Sequence, residues 1–158
     1  MALIDSKISM DDVQQVLKFA VPILAEANVT CLDLQYGKNT FLMPFNTSWG
    51  RPGGTLSGPA MMTLADIGIY IGVMSMTGLE LMAVTSNLNI SFLARPEPGD
   101  LYAKTRILKS GKRLAYGETM FYSSLDEDAP AVAHATATYA MPPKPTGLTW
   151  ENMHEHLK

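Results

Sequence analysis

Between Gly54 and Gly78 the chain is almost continuously apolar, and one carboxylate, Asp66, stands in the middle of the run. Wound at about 100° per residue, Thr63, Asp66, Tyr70 and Thr77 share one narrow stripe, while Ala65, Gly68, Gly72 and Ser75 share the opposite one. The pattern predicts a buried helix. Its small residues let a neighbouring backbone come close, and its other stripe presents an acid flanked by hydroxyls to a mostly dry space. The run approaches the length of a membrane span, and Gly68 and Gly72 form a GxxxG pair. Asp66 argues against that reading, because a carboxylate at mid-bilayer costs about 2.5 to 3.5 kcal/mol. No Lys/Arg asymmetry flanks the run to orient it either.

Upstream, the pattern predicts a helix from about Ser9 to Glu26, opened by an acidic capping box in which Asp12 follows Ser9 by three positions. Pro22 should kink that helix or end it early. Two strands follow, Val29 to Tyr36 and Thr40 to Pro44, joined by Gly37-Lys38-Asn39. A Gly/Pro-rich loop from Phe45 to Leu56 leads into the apolar helix. After Gly78 the period changes to two: Val84, Ser86, Leu88, Ile90 and Phe92 occupy one phase, and Thr85, Asn87, Asn89 and Ser91 the other.

Three more strands are predicted at about Leu101 to Leu108, Leu114 to Ser123 and Ala131 to Met141, with turns at Ser110-Gly111-Lys112 and at the acidic loop before Pro130. Connections this short require antiparallel neighbours. The chain reads as one domain over residues 1–158: an N-terminal helix at about 9–26, a core at about 29–141 and a tail at 142–158. Trp150 would anchor that tail to the body or to another subunit. The layout is α+β, with one sheet covering one very hydrophobic helix. A single sheet buries only one side of such a helix, so self-association is expected.

Of the 158 residues 47% are hydrophobic and 17% charged, with a net charge of −3, a balance that gives no footprint for nucleic acid, where a basic face would be expected. One cysteine, Cys31, cannot form an internal disulfide, and the N-terminal stretch lacks the basic and apolar regions of a secretory signal. The expected compartment is the cytoplasm. Cys31 lies in an apolar-rich strand with no base nearby in sequence, which favours an inert core thiol over a nucleophile. His154 and His156 find no further Cys or His to complete a metal site, so the tail is read as solvated.

Two stretches carry a family resemblance. Gly54-Thr55-Leu56-Ser57-Gly58-Pro59 followed by Asp66 resembles the G-x-x-H-G-G-x6-D signature of the PaaI-like acyl-CoA thioesterases. The segment from Ala83 to Pro96, with Gly99 and then Lys109-Ser110-Gly111-Lys112, is similar to that family's long strand and following hairpin. The similarity runs from about Val29 to Met141. It implies the hotdog fold, an antiparallel sheet wrapped around a long central helix, and a homodimer or homotetramer with its site between two subunits. The implied activity is hydrolysis of an acyl-CoA thioester without metal or redox cofactor, CoA being part of the substrate.

By the same resemblance, Asp66 activates water or attacks the thioester carbonyl, Gly58 polarises that carbonyl through its N–H, and Thr85 orients the acid or its water. The physics agrees: a helix N-terminus offers unpaired N–H groups and a positive dipole end to an oxyanion, and desolvation strengthens a carboxylate as a base. Ser57, Arg51, Lys109, Lys112 and Arg113 fall at positions expected to bind substrate. The departures from the signature are Ser57 for its histidine, Pro59 for its second glycine, and Arg51 for the asparagine six residues before the histidine.

Each residue also has a plainer reading. Ser57 suits the N-cap of the central helix with Pro59 in its first turn. Arg51 binds a substrate carboxylate or CoA phosphate, or holds the loop. Asp66 is either the reacting acid or a buried carboxylate bonded to Thr63 or to a partner subunit. The basic hairpin set, which includes Lys104 and Arg106, either meets the CoA nucleotide or is a solvated strand edge. Loss of the histidine and asparagine keeps a second function open, an acyl-CoA binding or sensing protein without turnover. A hydratase is disfavoured, since no Asp and His pair sits at short spacing on a loop.

Overall fold

The computed structural model describes residues 3–155, so His156 lies outside the described residues. Ser9 caps α1, Met10–Gln15: its hydroxyl accepts the Asp12 N–H at 3.1 Å while the Asp12 carboxylate accepts the Ser9 N–H at 2.8 Å. A π-helical turn, Val16–Ala20, follows, and Val21 then leaves helical geometry before α2, Pro22–Glu26. The single helix expected over 9–26 is therefore two short helices with a break at Pro22. Proline lacks the N–H that would continue α1, and its ring pushes the preceding residue out of the helical region.

The strands are β1, Thr30–Gln35, and β2, Lys38–Met43; a two-residue turn at Tyr36-Gly37 joins them, Gly37 taking φ +70. Lys38 and Asn39, expected in the turn, belong to β2, because Gly37 alone supplies the positive φ the reversal needs. Within the Gly/Pro-rich loop a small ribbon forms from β3, Gly50–Arg51, and β4, Thr55–Leu56. The central helix α3 spans Gly58–Thr77, and β5 (Val84–Phe92), β6 (Leu101–Ser110), β7 (Leu114–Tyr122) and β8 (Ala131–Ala140) complete the set. The main sheet has the order β1-β2-β6-β7-β8-β5, with every adjacent pair antiparallel.

This sheet wraps α3, and the arrangement is the hotdog fold. The small-residue stripe is what lets helix and sheet approach. Asn39 of β2, itself buried, donates from Nδ2 to the Gly68 carbonyl at 2.7 Å. Ile107 of β6 fills the space between Gly72 of α3 and Gly117 of β7, where side chains on either glycine would collide with it. Ser75 donates to the Gly72 carbonyl at 2.6 Å and accepts the Gly37 N–H at 2.8 Å, pinning the first hairpin to the helix. By length and composition α3 is able to cross a membrane, yet most of it is buried within this chain.

The chain after β8 docks on its own body. Leu148 and Met153 are buried and Trp150 packs against the core, so of the two anchors considered for Trp150 it takes the first. Glu80, a buried carboxylate just past α3, accepts the Thr146 N–H at 3.1 Å, the Thr146 hydroxyl at 2.6 Å and the Met82 N–H at 3.1 Å. At the opposite extreme, β5 is an edge strand: Val84, Phe92 and the following Leu93 are 57%, 54% and 58% exposed.

Candidate active site

Asp66 lies mid-way along α3, half-buried, at the wall of a hollow of about 380 Å³. Val21 and Leu24 close one side of that hollow, so the break at Pro22 shapes it; Ile67, Leu81 and Val84 make much of the rest apolar. Thr63 does not hold the acid, because its hydroxyl turns back to the Pro59 carbonyl at 2.9 Å. The partners are Thr85 and Tyr139. Thr85 donates to Asp66 Oδ1 at 2.6 Å, and the Tyr139 hydroxyl donates to the same oxygen at 2.6 Å while lying 3.1 Å from the Asp66 carbonyl.

A β-bulge brings Thr85 there. On strict alternation Thr85 belongs to the phase of Asn87 and Asn89, opposite to Leu88 and Ile90. The β5–β8 register shifts between Thr85 and Asn87, so that Thr85, not Ser86, faces the buried Tyr139 across the ladder. The extra residue re-aims the hydroxyl toward α3, a common use of bulges beside functional sites. The alternation expected over residues 84–92 is corrected at this one step.

Two tyrosines back the acid. Tyr139 stacks on Tyr70 with ring centroids 5.6 Å apart and planes at 25°, and Tyr70 donates its hydroxyl to the Leu81 carbonyl at 2.9 Å. Burial, helped by the charges of Glu80 and Asp66, pushes the Tyr70 phenol up to about 12. Burial and the Asp66 charge raise Tyr139 well above the ordinary phenol range, so it stays a donor.

At the start of α3, Ser57 is the N-cap and its hydroxyl accepts the Ala60 N–H at 3.4 Å, with Pro59 in the first turn. Gly58 follows, and among the described residues nothing accepts its N–H. A Cβ there would sit 3.1 Å from the Phe92 ring, tighter than ordinary contact. Gly58, exposed Arg51, Arg95 and Phe92 line a second hollow of about 530 Å³. Asp66 is eight positions along the helix, about 12 Å by its rise, and is not among the residues of that hollow.

The basic hairpin is apart from both hollows. Lys109, Lys112 and Arg113 are exposed at the tip between β6 and β7, where the Arg113 carbonyl accepts the Met141 N–H at 2.8 Å. Farther along the same hairpin Arg106 pairs with Glu118, which also meets His134 of β8, and Lys104 stands 5.3 Å from the centre of the Tyr122 ring. Cys31 donates to the Asp33 carbonyl at 3.2 Å, and burial pushes its thiol up to about 11. Among the described residues no group of three His, Cys, Asp or Glu side chains is placed to hold a metal ion.

A family model described as the thioesterase superfamily matches residues 53–139, more than half of the chain and the span that holds Gly58, Asp66, Thr85 and Tyr139. The chain belongs to the thioesterase superfamily. Among solved structures it is similar to a protein assigned as a thioesterase from Silicibacter sp. TM1040, at 34% identity over 90% of this chain and 96% of that one, with a TM-score of 0.72. Zebra fish thioesterase superfamily member 2 shares the fold at 20% identity, 85% and 99% coverage and a TM-score of 0.73. So does a mutant thioesterase from Pseudomonas aeruginosa, at 17% identity, 90% and 100% coverage and a TM-score of 0.73. No curated protein matches the chain.

For this thioesterase-superfamily chain, sequence reasoning singled out Asp66 and Thr85, which the fold brings into contact, and Gly58, which it places elsewhere. It missed Tyr139 and Arg95, and it placed Tyr70 on the Asp66 stripe without giving it a role. A signal for Tyr139 was present: the inward positions of β8 are Ala133, Ala135 and Ala137, which leave room for α3, and the next inward residue is a tyrosine.

Proposed function

We propose that the protein is a PaaI-like acyl-CoA thioesterase in which Asp66 is the reacting acid. The observation that carries this reading is the carboxylate itself: both hydroxyl donors occupy Oδ1, and Oδ2 has no partner among the described residues. In the general-base course, Asp66 Oδ2 takes a proton from water as the water oxygen bonds to the thioester carbon. The C–S bond then breaks, CoA leaves as a thiolate that takes up a proton, and the free acid remains.

The carbonyl oxygen becomes negative during attack and needs a donor. The Gly58 N–H is a suitable one, backed by the dipole of a 20-residue helix. About 12 Å of helix separates it from Asp66 of its own chain, too far for both to act on one carbonyl. We therefore assign the full site to two protomers, Gly58 from one and Asp66 with Thr85 from the other. The open edge of β5 and its exposed Val84, Phe92 and Leu93 support that association. In this reading Arg51 and the tip residues Lys109, Lys112 and Arg113 meet the phosphates of CoA, and the apolar hollow beside Asp66 takes the acyl group. The reading includes a cytoplasmic setting and invokes no metal or redox cofactor.

A second reading has one specific observation behind it. Ser57, standing where the resembling signature has histidine, is committed to capping α3, which suits a protein that binds or senses acyl-CoA without cleaving it. A panel of short-chain, long-chain and aryl-CoA thioesters on purified protein decides between them: release of free CoA from at least one class supports the hydrolase, and calorimetric binding without release supports the binder.

A further inference from the structure

We propose that Tyr139 is a positioning residue: its hydroxyl, together with Thr85, holds Oδ1 of Asp66 so that Oδ2 alone faces the reacting water or carbonyl. The inference rests on the hydrolase reading for its kinetic consequence, but its geometry stands apart. A carboxylate oxygen has room for two donors, and Oδ1 receives two at 2.6 Å each, from Thr85 on β5 and Tyr139 on β8. A carboxylate gripped at one oxygen by two strands cannot rotate to exchange its oxygens without breaking both bonds. A proton arriving on the acid must then settle on Oδ2.

Tyr139 is itself fixed from three sides. It is 3% exposed, it pairs in register with Thr85 on one flank and Ala115 on the other, and its ring stacks on Tyr70. Tyr70 is held in turn by the Leu81 carbonyl, in the segment where Glu80 clasps Thr146. The phenol remains protonated through the working pH range, since burial and the Asp66 charge both oppose its ionisation. It is therefore a constant donor that shares in no proton transfer, and its part is orientation.

The test is Tyr139→Phe, which removes one oxygen and keeps the ring on Tyr70, run beside wild type and Asp66→Asn on a thioester that wild type cleaves. The inference expects kcat to fall about tenfold or more, KM to stay within about twofold, and the oligomer and melting curve to remain near wild type. It also expects the carboxyl ¹³C resonance of Asp66, in protein labelled at aspartate, to move in Tyr139→Phe. Wild-type kcat in Tyr139→Phe while Asp66→Asn is inactive overturns the inference and leaves the hydrolase reading standing. If wild type cleaves no thioester, that reading fails, and the resonance decides the inference alone: a shifted signal supports it, an unmoved one overturns it.

Discussion

Gly68 of α3 lies directly over Thr105 of β6, so close that a Cβ built on the glycine would overlap the threonine Oγ1. Thr105 cannot easily give way, because its hydroxyl is bonded to that of Thr119 at 2.7 Å and both residues are buried. Gly68→Ala therefore pushes helix from sheet and strains the Asn39 bond to the Gly68 carbonyl. Overpacking of this kind costs about 1 to 3 kcal/mol, more than the gain from replacing a mid-helix glycine. Urea unfolding should show the loss; an unchanged or higher midpoint would contradict the packing described.

Self-association should be evident in solution. The β5 edge is unpaired, nine residues long and flanked by exposed apolar side chains, and the proposed site needs two protomers. Light scattering at micromolar concentration should give a mass of at least twice 17.2 kDa. A clean monomer that still turns over substrate would refute a shared site.

Ser57→Ala removes the cap of α3. The expected cost is about 1 kcal/mol of stability with a modest fall in turnover, because the Gly58 N–H is a backbone group. Ser57→His, which restores the residue of the resembling signature, should leave activity similar or raise it. Hydrolysis that appears only in the histidine variant would favour the binding reading.

Glu118 gives the stability a pH dependence. The hydrogen bond from His134, and then that from Arg106, hold its carboxyl below the usual glutamate range. A lowered carboxyl contributes stability that is present above its unfolded value, about 4.3, and is lost as pH falls through the folded one. Thermal melts from pH 7 to pH 3 should show Glu118→Gln less stable than wild type at neutrality, with the gap closing in acid. A constant gap across that range would remove this pair from the account.

The elements that repeat a strong local pattern were legible in the chain. α3 was visible because small, apolar and polar residues hold a helical period through its length, and Ser57 because a hydroxyl stands two positions before a proline at the head of an apolar run. The capping box of Ser9 and the stop at Pro22 were readable for the same reason, since both act within a few residues. The π-helical turn between them, Val16–Ala20, was not, since no residue pattern in that stretch marks it.

What escaped the sequence depends on contacts between distant residues. Thr85 was singled out, yet its phase was wrong until the β5–β8 bulge supplied the missing step. Tyr139 reaches Asp66 across 73 positions of chain, a distance no periodicity spans. Arg95 lies beyond the strand pattern that ends at Phe92, and its guanidinium packs against Gly53, which takes φ +97 in the loop that also carries Arg51. Thr63 shares the Asp66 stripe, but a helical threonine can bond instead to the carbonyl four residues back, as it does here to Pro59.

The central claim, that Asp66 is the reacting acid of a thioester hydrolase, is tested most directly by kcat of Asp66→Asn against wild type on the best CoA thioester, with the oligomer checked in the same samples. Asparagine keeps the shape and accepts the same hydroxyls but cannot act as base or nucleophile. The account predicts a fall on the order of hundreds-fold or more in a correctly assembled protein. Near-normal turnover in the variant would make Asp66 a structural acid and contradict the mechanism.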